Sequence, residues 1–243
     1  YIENLTYILS IYLLVSIIGG ICNYIINQAE SLSSIQNLIF YFSSELFIVG
    51  LSLGLIKILL LINKNQPSTI GILFSSFDLI FRSFNASILF SIIIFFSFLP
   101  GLIIILMSCN IDSLFLNIFN IIDFSNPMPT VTFNNNLFDF DIYNQPLFIL
   151  GVLVSIINII WVAIRLQFYQ YFIVDDECGA IDSLRQSFII TDTYINLLLQ
   201  FILCVLAINC LGLLFFGIGI VFTVPFSLLA MTKLYLSLKR KAI

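Results

Sequence analysis

The chain reads as an all-α, polytopic membrane protein: six transmembrane helices plus two cytoplasmic amphipathic segments lying in the membrane interface. Three observations predict this. Hydrophobic residues make up 60% of the 243-residue chain and charged residues only 9%, whereas a soluble domain carries roughly a quarter of its residues as charges. The mean hydropathy is +1.13, and the apolar runs are long and continuous, as membrane helices require. A transmembrane β-barrel would alternate in segments of about ten residues. Finally, every Lys and Arg lies in or flanks the same alternate connections or the C-terminal tail.

Residues 1–243 are read as one transmembrane domain. The first span covers about 5–26 and includes Gly19-Gly20, which marks either close helix packing, the reading favoured, or a kink. It is too long and too weakly flanked for a cleavable signal peptide, and a chain starting at Tyr1 suggests that further sequence precedes it. The second span covers about 38–62, with Gly50 and Gly54 at the small-xxx-small spacing of helix contacts. After the polar break Asn63 to Pro67, residues 68–84 place apolar side chains at 3- and 4-residue intervals. They predict an interfacial amphipathic helix in which Asp78 and Arg82 pair at i,i+4.

The third span, about 86–107, carries Pro100-Gly101, where a kink is expected. Residues 109–146 form an outer loop with four aspartates and no base; its apolar patch 114–122 suggests a fold-back onto the membrane. The fourth span, about 147–169, ends in Arg165 and an interfacial aromatic group. The acidic run Asp175-Asp176-Glu177 reads as a solvated link; it could take a divalent cation but lacks the spaced pattern of a calcium loop. A second amphipathic piece follows, with Ile181, Leu184 and Phe188 on one side. Thr191-Asp192 is the expected N-cap of the fifth span, about 194–214. A turn at Gly217-Ile-Gly219 leads to the sixth span, about 220–238, which ends at Lys239-Arg240-Lys241.

Under the positive-inside rule, nine bases on one side and none on the other place both termini in the cytoplasm. The segment Ile72 to Phe77 is echoed by Ser183 to Phe188, each before a new span. This points to a parallel internal repeat rather than an inverted one.

Composition also narrows the function. With no histidine, the chain lacks the ring needed for Ser-His-Asp or Cys-His catalysis and for HExxH metal sites. Five cysteines form no CxxC, and those inside spans read as packing residues. A net charge of −4 argues against nucleic acid as a partner. No enzyme activity, cofactor, catalytic residue or metal site is expected.

Candidate intramembrane polar positions are Glu45, Asn158, Asn196 and Gln200. An ionised carboxylate in a span costs on the order of 3 kcal/mol, so Glu45 is either an ion site, a partner's contact, a protonated acid or an interfacial group. The amides, with Asn209, either line a path or bond across helices. Arg165, Lys239, Arg240 and Lys241 are candidate topology and lipid anchors.

The interfacial segment after the second span, Arg165 closing the fourth, the link into Ala180-Ile181-Asp182-Ser183, and the last two spans joined at Gly217-Ile-Gly219 before Pro225 form a pattern. It resembles bacterial inner-membrane proteins of a broad clan, including the YciC-like proteins and the membrane domain fused to some glycerophosphoryl diester phosphodiesterases. The resemblance implies a six-helix bundle of uncharacterised activity in the bacterial cytoplasmic (inner) membrane, without the phosphodiesterase domain. The expected function is that of a subunit or accessory factor of a membrane protein complex, with membrane lipids and other integral membrane proteins as partners. The alternative is a small-molecule or lipid transporter with Glu45 at its working site.

Overall fold

The computed structural model describes residues 2–28, 34–108, 122–123, 130–131, 146–214 and 218–242. Eight α-helices appear among them: α1 (Ile2–Gln28), α2 (Ser34–Asn63), α3 (Ile80–Ser108), α4 (Pro146–Leu166), α5 (Tyr169–Asp176), α6 (Ala180–Asp192), α7 (Ile195–Leu214) and α8 (Ile218–Ala242). Two 3-10 turns, Ile70–Phe74 and Phe77–Leu79, lead into α3. A two-residue antiparallel ladder pairs Ile122 with Val131 and Asp123 with Thr130. The remainder of the expected outer loop, including the 114–121 part of its apolar patch, and the turn residue Gly217 lie outside the described residues. Six helical stretches are long and apolar enough to cross a membrane: Thr6–Ile25, Ile39–Asn63, Ile70–Met107, Pro146–Asp176, Ile195–Leu214 and Gly219–Lys241. The chain is therefore an α-helical, multi-pass integral membrane protein.

Helix ends follow local chemistry. At the end of α2, Asn65 adopts φ 56°, the Asn65 N–H donates to Ile62 O (3.1 Å) and the Gln66 N–H to Leu61 O (2.9 Å). This is a left-handed helix stop with asparagine in the position glycine usually fills. The expected interfacial helix at 68–84 does not form; the two 3-10 turns take its place. Leu73 backbone sits against Gly54, and the Phe77 and Ile80 side chains sit against Gly50. Gly50 and Gly54 thus make the close contact their spacing implies, but with the returning chain. Gly19 and Gly20 meet nothing within 4 Å, so the packing expected there is absent. Helix α3 continues through Pro100.

The expected fourth span also divides. α4 ends at Leu166 and α5 starts at Tyr169. The break is filled by α6: Ser187 Oγ donates to Arg165 O (2.9 Å) and accepts the Phe168 N–H (3.1 Å). Thr191 Oγ1 lies 3.1 Å from the same carbonyl oxygen. Thr191 and Asp192 therefore belong to the end of α6, and the N-cap role expected for them is corrected.

The chain forms two units, residues 1–90 with 164–243, and residues 91–163. In the first, α2 packs against α1, α5, α8 and the 3-10 turns, while α6 packs on α5. Ile8 and Ile11 of α1 meet Leu51, Leu55, Ile58 and Leu59 of α2, with Leu73 completing the cluster. Tyr235 of α8 is fully buried among the rings of Phe168, Tyr171 and Phe172, whose centroids lie 5.2–5.8 Å away. α7 and α8 form a hairpin in which Gly212 and Gly219 touch backbone to backbone, and Asn209 bonds Ser227 across it (3.3 Å). In the second unit, Gly101 and Gly151 permit close approach of α3 and α4, with Ser155 Oγ turned back onto Gly151 O (2.9 Å).

Candidate functional site

The densest polar constellation among the described residues lies where the cation-bearing ends of α2, α3 and α8 meet the acidic end of α5. Asp175, at the last turn of α5, is its centre. Its side chain is only 5% exposed and pairs with Lys64 through one carboxylate oxygen and with Lys239 (2.6 Å) through the other. The Tyr235 hydroxyl donates to the second oxygen (3.3 Å). Lys239 also meets Asp176. Glu177 turns left-handed (φ 52°), and its carbonyl oxygen accepts from Arg82 Nη1. The solvated link expected at 175–177 is thus an ion-pair junction. Arg82 is spent on that carbonyl, and the expected Asp78–Arg82 pair does not form.

These contacts follow from helix ends. The Glu177 turn stops α5 and presents two consecutive carboxylates beside the end of α8. A buried carboxylate needs more than one compensating donor to offset its lost hydration, and Asp175 has three. Nearby, burial and then the Asp176 charge push the Cys178 thiol above its ordinary value, leaving less of the nucleophilic thiolate.

A second knot surrounds Arg165, which is 9% exposed. Its guanidinium pairs with Asp192 and lies over the Phe188 ring, 4.4 Å from the centroid. Of the apolar side expected on α6, only Leu184 turns inward. Ser183, Leu184, Ser187, Ile190 and Thr191 are buried, while Ile181 (71%) and Phe188 (41%) face out. Small hydroxyl side chains let α6 approach the α4–α5 break and satisfy its free backbone groups, which a bulky apolar stripe could not do.

No family model, curated protein or solved structure matches the chain.

Among the described residues of the first unit, no hydrogen bond joins Glu45, Asn196 and Gln200. Glu45 is half-buried on α2; among the described residues it has no hydrogen bond or ion pair. Asn158 lies on α4 in the second unit. Asn196 and Gln200 are exposed on α7, also without a partner among the described residues. Of the candidate anchors, Arg165 and Lys239 hold carboxylates, Arg240 is exposed, and Lys241 lies 5.3 Å from the Tyr194 ring centroid. Among the described residues no three metal-binding side chains converge. Sequence reasoning missed Asp175 as a centre. The signal available was two adjacent acids next to an aromatic run, followed by a lysine-rich tail.

Proposed function

We propose that this chain is a non-enzymatic subunit or accessory factor of a membrane protein complex in the bacterial cytoplasmic membrane, with both termini in the cytoplasm. One observation carries the reading. Six charged side chains at the helix ends pair with one another, while the polar groups Glu45, Asn196 and Gln200 on the spans have no partner among the described residues. A span has no water to satisfy such groups, so a neighbouring helix is their natural complement. Charge placement under the positive-inside rule supports the orientation. The resemblance to the YciC-like clan agrees in class.

The test is affinity purification of the tagged chain from native membranes in mild detergent. The reading expects one or more integral membrane proteins to co-purify reproducibly. A chain that purifies alone, and whose Glu45→Gln variant loses a solute or lipid flux measured in reconstituted vesicles, would favour the transporter alternative.

A further inference from the structure

The outward face of α7 sets Asn196 and Gln200, the unpartnered amides of the subunit reading, in a regular repeat of exposed residues. The helix meets α8 through a stripe that includes Leu198 and Gly212, both buried, and Asn209, bonded to Ser227. At about 100° per residue, Asn196, Gln200, Leu203, Ala207, Cys210 and Leu214 fall on the opposite side. All six are exposed. Their intervals run four, three, four, three, four, the repeat that forms a left-handed seam between two helices.

Two members of this seam are primary amides. Gln200 lies about 7.5 Å along the helix from Ile195, inside the apolar run, where neither lipid nor water satisfies a carboxamide. The seam carries no charge. We propose that α7 pairs along this seam with α7 of a second copy of the chain.

Copies inserted with the same topology share an orientation, so a closed dimer has its two-fold axis along the membrane normal. Each seam residue then meets its own counterpart at the same depth. A carboxamide holds both donors and an acceptor and so complements itself; a carboxylate would repel itself. That rule favours the α7 seam over the Glu45 face for self-contact. Ala207, near mid-seam, lets the backbones approach.

The proposal rests on the reading that the chain acts by contact, and the experiment separates the two. A variant with cysteine kept only at Cys210 is oxidised with copper phenanthroline in native membranes. The expected result is a product of twice the chain mass, weaker when cysteine is kept only at Cys204, off the seam. Asn196→Leu with Gln200→Leu should weaken association about threefold for each amide pair removed, while Gln200→Asn should largely preserve it. If the double variant fails to accumulate, Ala207→Phe, which wedges the seam apart, takes its place with the same two outcomes. No dimer product despite full alkylation of Cys210, or a product indifferent to the seam substitutions, overturns the proposal. So does a cross-link to a different protein, which would sink the dimer yet leave the subunit reading standing.

Discussion

Asp175 accepts from three donors on two other elements, Lys64, Lys239 and Tyr235, and its removal is felt at all of them. Asp175→Asn leaves two ammonium groups facing a neutral amide. Breaking a fully buried pair costs about 3–5 kcal/mol; with Lys64 39% exposed, a loss of about 1–3 kcal/mol is expected here. Thermal unfolding in detergent should show it. Lys64→Ala, at the more exposed end of the junction, should cost less than about 1 kcal/mol. Equal effects would mean that the carboxylate is not the shared centre. The adjacent acids are legible in the sequence but their partners are not, because Lys64 and Asp175 are 111 residues apart and only the folded chain brings them together.

The two short segments before α3 and α7 show what periodicity conveys and what it hides. The echo between Ile72–Phe77 and Ser183–Phe188 extends to burial: Leu73 and Leu184, Ser76 and Ser187, Leu79 and Ile190 are buried at matching places. Yet one segment is 3-10 turns and the other an α-helix. On α6 the hydroxyl-bearing Ser187 and Thr191 pack inward beside Leu184 and bond the open backbone at Arg165 and Phe168.

Glycine spacing shows the same mixture of success and failure. Gly54 lies against the Leu73 backbone, which a methyl group would overlap, whereas Gly20 has open space. Gly54→Ala should therefore destabilise by about 1–3 kcal/mol. Gly20→Ala should be neutral or stabilise by up to about 1 kcal/mol. Comparing their unfolding temperatures in one detergent checks both, and a silent Gly54→Ala would contradict the described contact between α2 and the returning chain.

At the scale of the molecule, the six apolar helical stretches were legible because membrane insertion selects on length and apolar content, both local properties. The span limits moved where local rules met tertiary partners, as at the α4–α5 break satisfied by Ser187. The polar candidates were legible as residue types but not as a site, since no spacing rule brings Glu45, Asn158 and Gln200 together. Cation placement remains the observation on which orientation rests. Lys64, Arg82 and Lys239 meet at one junction around α5, as residues sharing one membrane face must be able to do.

Orientation is tested most directly by cysteine accessibility in a chain freed of its native cysteines. R240C, at an exposed position of the lysine-rich tail, and N135C, in the expected outer loop, are labelled with a membrane-impermeant maleimide in right-side-out and inverted vesicles. N135C should react in right-side-out vesicles and R240C in inverted ones. The opposite pattern, or both sites reacting from the same face, would contradict a six-pass chain whose basic ends lie in the cytoplasm.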